Sequence, residues 1–135
     1  MNGRSVFVDT SGFIALLDAD DSFHGKAVTA WTSYGEENVT LFTSDYVRLE
    51  SWALIQRRLG AEAALDFADL ILPACTILTV GEEVFLSSIN EWRLARRRRL
   101  SLVDVTSFHL MRRHEIQQVF GFDGHFAEEG FLIPS

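Results

Sequence analysis

The sequence predicts an α/β fold, a parallel sheet flanked by helices, built as one domain over residues 1–135. Three observations lead there. Apolar strand-like runs alternate with helical patterns along the chain, the alternation a parallel sheet with crossover helices requires. The run Val6-Phe7-Val8 reads as a buried strand. A chain of 135 residues that is 47% hydrophobic encloses one sizeable core but is too short for two domains of usual size.

The elements follow in order. After the first strand, Thr10-Ser11-Gly12 supplies a turn and a helix cap, with Ser11 the default capping residue, ahead of the apolar stretch Phe13–Leu17. A second helix is expected over about 24–34, then a loop over 35–38. Val39-Thr40-Leu41-Phe42-Thr43 reads as a strand leading into a helix that is capped by Ser44 or Asp45 and stopped by Gly60. A helix is expected over 61–72 before Pro73, a strand over 75–80, and a helix from Glu82 to about Arg97. Ser101-Leu102-Val103-Asp104 has capping-box spacing for a helix reaching about His114. Gln118-Val119-Phe120 and Phe131-Leu132-Ile133 read as the last two strands.

Composition excludes several classes. The only apolar run near the N-terminus is too brief for a secretory signal, and no stretch is long and apolar enough to span a bilayer, so a cytoplasmic protein is expected. Cys75 is the one cysteine, unable to form an internal disulfide or a zinc site, and reads as a packed strand residue. A net charge of −7 repels phosphate at long range, yet eleven of the twelve basic residues are arginine and five lie between Arg93 and Arg99. Arg96, Arg97, Arg98 and Arg99 are therefore candidates for RNA phosphate, against the alternative of a solvated face complementing a helix C-terminus. Trp31, Trp52 and Trp92 read as core or as part of a partner surface.

Four acids stand where an acid needs a reason. Asp9 ends the buried strand, at the sheet edge where parallel sheets bind ligands; the alternative is an Asx turn bonding backbone amides. Thr10 and Ser11 add hydroxyls there, able to orient the carboxylate. Glu50 shares a helix face with Tyr46, Val47, Ala53 and Leu54, which costs folding energy unless its charge is compensated, with Arg57 as one possible ion-pair partner. Asp104 is explained equally by its capping box and by ligand duty at a helix N-terminus. Asp123, before Gly124, is either a plain Asp-Gly turn or a fourth member of the set. Four carboxylates in one cleft would need protonation or hard divalent cations.

Other chemistries lack a residue. There is no Gly-x-x-x-x-Gly-Lys phosphate loop, Ser11 occupies the second acidic position a phosphoaspartate enzyme needs, and Lys26 is the only lysine. His109 and His114 fall on different helix faces, and His24 and His125 read as solitary hydrogen-bonding residues.

The stretches Val6-Phe7-Val8-Asp9-Thr10-Ser11, Thr43-Ser44-Asp45-Tyr46-Val47-Arg48-Leu49-Glu50, 99–108 and 119–126 carry the four acids in order. With Asp20, His24 and Ala27 early and Gly130-Phe131-Leu132 at the end, they resemble the PIN-domain ribonucleases over nearly the whole chain, in particular the toxins of prokaryotic toxin-antitoxin pairs. The resemblance implies a three-layer α/β/α PIN-like domain with Asp9, Glu50, Asp104 and Asp123 at the carboxyl edge of a central parallel sheet. It implies a ribonuclease dependent on Mg²⁺ or Mn²⁺, with Asp9 and Asp104 as direct ligands and Glu50 and Asp123 acting through water or a second ion. RNA is the implied substrate, a cognate antitoxin a possible partner, and a homodimer the expected assembly. The alternative is a catalytically weak scaffold that binds RNA or protein without cleaving. Gly121 departs from the family, whose members often carry a hydroxyl residue two before the fourth acid.

Overall fold

A computed structural model describes residues 4–96 and 99–134. Strands β1 (Ser5–Val8), β2 (Thr40–Ser44), β3 (Cys75–Leu78) and β4 (Gln118–Phe120) form one sheet, ordered β3-β2-β1-β4. Every pairing is parallel, with Phe7 opposite Phe42 on one side and Val119 on the other. Helices α1 (Thr10–Leu17), α2 (His24–Glu36), α3 (Asp45–Leu59), α4 (Ala61–Asp66), α5 (Gly81–Ala95), α6 (Leu102–Arg113) and α7 (Gly124–Glu128) flank it, giving the expected three-layer α/β/α architecture.

Central β1 explains its own sequence. Val6, Phe7 and Val8 are fully buried because both neighbouring positions in the sheet are occupied and both faces are covered. Phe13, Phe120 and Phe126 complete the aromatic centre, and Trp31 packs on Phe120 with ring centroids 5.6 Å apart. Trp31 therefore belongs to the core, whereas Trp92 is exposed and donates its indole N–H to the Leu100 carbonyl at 2.7 Å. Gly12 lets α1 lie directly on β4: a Cβ there would sit 2.2 Å from the Phe120 carbonyl oxygen.

The chain leaves β1 toward β2 on one side and ends beside it as β4 on the other, so the topological switch point lies between β1 and β4. In such sheets the crevice outside the strands' carboxyl ends is the ligand position. Asp9 and the turn 121–123 occupy it. Thr43 Oγ1 donates to the Val8 carbonyl at 2.7 Å, pinning the end of β2 to the same edge before the chain passes directly into α3.

Three expectations are corrected. The helix expected over 61–72 is α-helical only to Asp66; Phe67–Ile71 widens into a π-helical turn and Leu72–Ala74 tightens to 3₁₀. Pro73 lacks an amide to donate, so the α-helical ladder cannot run through it, and it sits instead in the first turn of the 3₁₀ segment. The strand expected to reach Val80 ends at Leu78, because the Val80 amide donates to Asp45 Oδ1 at 3.0 Å instead of to a neighbouring strand. Of the two cap candidates for α3, Ser44 is the one that caps it, its side chain accepting from the Val47 amide. The final strand shrinks to one bridge between Leu132 and Gln118.

Candidate active site

Asp9, Glu50, Asp104 and Asp123 line one cleft of about 470 Å³. Thr10, Ser11, Ser101, Arg58, Arg99, Phe23 and Phe122 also face it. Each acid arrives there by a different local rule.

Asp9 caps α1 itself, displacing Ser11 from the expected role. Its Oδ2 accepts from the Ser11 amide at 3.2 Å and the Ser11 hydroxyl at 2.8 Å, while Oδ1 is buried without a hydrogen-bond partner. The Asp9 side chain is almost wholly buried, and burial pushes its pKa from 3.8 up to about 6, against the Ser11 hydrogen bonds and helped by the Glu50 charge. The Ser11 hydroxyl also accepts from the Phe122 amide at 2.9 Å, so one hydroxyl joins the ends of β1 and β4. Gly121 makes room for this: a Cβ there would lie 3.0 Å from Asp9 Cβ and 3.1 Å from Ser11 Oγ.

Glu50 is half-buried, less enclosed than its helix stripe suggests, because α3 slants past the mouth of the cleft with Ala53 already exposed. Its charge is met by Thr10, whose hydroxyl donates to Oε1 at 2.7 Å and accepts from fully buried Ser51 at 3.2 Å. The ion pair considered with Arg57 does not form among the described residues; Arg57 points into solvent.

Asp104 sits at the third position of α6 in a complete capping box, accepting from the Ser101 amide at 3.5 Å while Ser101 Oγ accepts from the Asp104 amide at 3.0 Å. Burial, followed by the charges of Asp9 and Asp123, raises its pKa to about 7. Asp123 caps α7, with Oδ1 accepting from the His125 amide at 3.0 Å.

His125 is what the sequence reading missed. Read as solitary, it offers a ring nitrogen that lies within 4.8 Å of carboxylate oxygens of both Asp104 and Asp123. Its Nε2 also lies 3.1 Å from the Arg99 carbonyl. Its place in the first turn of α7, two residues after a capping Asp, is the sequence signal for this proximity. His24 is a hydrogen-bonding residue as expected, its Nδ1 2.8 Å from the Ala15 carbonyl. Among the arginine candidates, Arg99 lines the cleft and Arg96 is exposed at the end of α5; Arg97 and Arg98 lie outside the described residues. Arg58, on α3, is a cleft residue that the arginine run did not announce. Cys75 is inert, its thiol pushed up to about 12 by burial.

The donor set suits a hard divalent cation: carboxylate oxygens, one of them buried and unpartnered, on two carboxyls whose pKa values are raised chiefly by burial and, at Asp104, also by the charges of Asp9 and Asp123.

This arrangement on this fold has a family. The chain belongs to the PIN domain family, whose model matches residues 6–132. It is similar to the 23S rRNA-specific endonuclease VapC20 of Mycobacterium tuberculosis, 37% identical over 130 residues that cover 94% of this chain and 95% of the relative. The crystal structure of VapC20, described as a Sarcin-Ricin loop cleaving toxin, superposes with a TM-score of 0.81 and covers 94% of this chain and 96% of that one. FitAcB from Neisseria gonorrhoeae, 16% identical and covering 96% of each chain, shares the fold with a TM-score of 0.68.

Proposed function

We propose that this protein is an endoribonuclease that hydrolyses RNA at the cleft of Asp9, Glu50, Asp104 and Asp123, and that it is the toxin of a toxin-antitoxin pair. The observation that carries the reading is Asp9, almost wholly buried, with one oxygen held by Ser11 and the other unpartnered beside further carboxylates. A lone structural aspartate would not be kept ionisable and unpaired there. Similarity to VapC20 makes the sarcin–ricin loop of 23S rRNA the first substrate to test.

Asp9 and Asp104 would hold Mg²⁺ or Mn²⁺ directly, with Asp123 and Glu50 beside them and His125 within reach of Asp104 and Asp123. Bound there, a divalent cation supplies Lewis acidity toward water and the scissile phosphate. The chain's residues do the rest. Ser11 fixes the rotation of Asp9, and Thr10 fixes Glu50. Glu50, at the open side of the cleft, accepts a hydrogen bond from the attacking water and orients it toward phosphorus. Water adds to phosphorus and gives up a proton to solvent through the open side of the cleft, the P–O3′ bond breaks, and the 3′-oxygen leaves with a proton from solvent, giving a 5′-phosphate and a 3′-hydroxyl. Arg58 and Arg99 offset the phosphate charge that the acids repel. A cognate antitoxin and a second copy of the chain are the proposed protein partners, and the cytoplasm the proposed location; no helix among the described residues is long and apolar enough to cross a membrane.

The test is cleavage of a synthetic sarcin–ricin hairpin with Mn²⁺ or Mg²⁺, with EDTA, and with Asp9→Asn and Asp104→Asn. Each substitution and chelation should lower the rate at least a hundredfold, on the order seen when one electrostatic group of an active site is removed. Cleavage surviving both substitutions would overturn the assignment, and tight binding without cleavage by the wild type would favour the scaffold reading.

A further inference from the structure

Phe23 is 40% exposed, large, and lines the cleft that also holds the four acids, Arg58 and Arg99. Its ring stacks on that of Phe122, with centroids 4.9 Å apart and planes 11° from parallel. Phe122 in turn packs edge-on against fully buried Phe120, at 5.9 Å and 72°. The pair is therefore rooted in the core and open at its outer member.

Its backbone is held as firmly. The Phe23 amide donates to Asp21 Oδ1 at 2.8 Å, and the Phe122 amide donates to the Ser11 hydroxyl that also holds Asp9 Oδ2 at 2.8 Å. A single hydroxyl thus ties the backbone at Phe122, on which Phe23 stacks, to the carboxylate. Arg58 and Arg99 line the same cleft.

An exposed flat ring in one cleft with carboxylates and guanidinium groups fits a ligand that has an apolar planar face and anionic linkages. An unpaired nucleobase in a phosphodiester chain has both, and aromatic rings bind such bases by stacking regardless of base identity. We propose that Phe23, backed by Phe122, is a base-stacking subsite that seats an unpaired nucleotide next to the scissile phosphate. This rests on the ribonuclease reading and adds the substrate feature that the site selects: a base already splayed out of its helix. Phe23 positions substrate and takes no part in bond breaking, so it acts on binding.

The test uses the full chain, Mn²⁺, and the synthetic sarcin–ricin hairpin, with a set of hairpins each carrying one abasic nucleotide near the cleaved bond. Phe23→Leu keeps apolar bulk and removes the ring; Phe23→Trp keeps a ring. The expected result is a KM raised about tenfold in Phe23→Leu, the size of one lost base–aromatic stack, with kcat within about twofold and recovery in Phe23→Trp. One abasic hairpin should raise the wild-type KM equally and add nothing further in Phe23→Leu. A wild-type KM in Phe23→Leu, or losses that multiply with every abasic position, would overturn the subsite. Failure of the wild type to cleave any hairpin counts against the ribonuclease reading alone. Quenching of the added indole in Asp9→Asn/Phe23→Trp by intact hairpin, relieved by one abasic site, reports stacking independently; absence of quenching overturns it.

Discussion

Replacing Asp9 by Asn should change the stability of the metal-free protein by an amount that depends on pH, in favour of the variant as pH rises. Asn keeps the shape, and its side-chain oxygen can take the place of Oδ2, accepting from the Ser11 amide and hydroxyl at 3.2 and 2.8 Å. What it removes is a buried charge. A carboxyl whose pKa stands at 3.8 in the unfolded chain and about 6 in the fold binds more protons when folded, so stability is fully present below the lower value and is lost as pH rises through the upper one. At ~1.4 kcal/mol per pH unit the loss reaches about 3 kcal/mol at pH 7.5 and is only about 0.5 kcal/mol at pH 4. The Asn amide also takes the place of the partnerless Oδ1, at a cost of about 1–3 kcal/mol that does not vary with pH. The change in the gap between variant and wild type, about 2.5 kcal/mol from pH 4 to pH 7.5, is therefore the quantity to measure. It is a lower figure, because the Asp9 charge also helps raise Asp104 and its removal relieves that carboxyl as well. Thermal unfolding in EDTA should show the midpoint of Asp9→Asn gaining on the wild type by roughly 10 °C over that interval. Mn²⁺ added at pH 7.5 should raise the wild-type midpoint and move the variant less. A gap that is constant with pH would refute the reasoning, since it would mean that the Asp9 charge is compensated within the chain.

Two further substitutions probe the supports of the cleft. Gly12→Ala places a Cβ 2.2 Å from the Phe120 carbonyl, and denaturant unfolding should show a loss of about 3 kcal/mol or failure to fold, because neither α1 nor β4 can shift without disturbing the central strand. Thr10→Val removes the donor to Glu50 and leaves buried Ser51 without its acceptor; stability should fall by about 1–2 kcal/mol and hairpin cleavage by about tenfold, with Thr10→Ser restoring both.

What the sequence revealed and what it hid follow from whether the cause was local. The strands at Val6–Val8 and Gln118–Phe120, the stop at Gly60 and the capping box at Ser101 were legible because each depends on a few adjacent residues. The π-helical turn at Phe67 was not, since Pro73 dictates that the helix must end but not how, and Phe67 is fixed by packing edge-on against Phe13 at 4.9 Å. Helical periodicity placed Glu50 on an apolar stripe correctly but could not say that the stripe ends at an open cleft, nor that the compensating group would be Thr10 instead of Arg57. Arg58 and Phe23 reach the cleft from elements whose orientation only the assembled sheet determines. His125 escaped notice for a related reason: its neighbours are Asp123, two residues away, and Asp104, more than twenty.

For three of the four acids the sequence offered a local backbone role (an Asx turn at Asp9, a capping box at Asp104, an Asp-Gly turn at Asp123) against ligand binding, and the observed geometry makes the two compatible. Asp9, Asp104 and Asp123 each accept from backbone amides at the start of a helix, and for Asp9 and Asp123 the accepting atoms are a single oxygen of the pair. A cap needs one oxygen. A carboxylate has two, so capping fixes the side chain in rotation and leaves a second oxygen available, as Asp9 Oδ1 is, on residues that line the cleft at the switch point. The amides also supply positive potential that helps three acids stay close. The help is incomplete: burial first, and neighbouring acids second, still raise the pKa of Asp9 and Asp104, and in the proposed reading a bound cation would relieve that cost. A stronger cap, holding both oxygens of Asp9, would make a more stable protein and a poorer metal site.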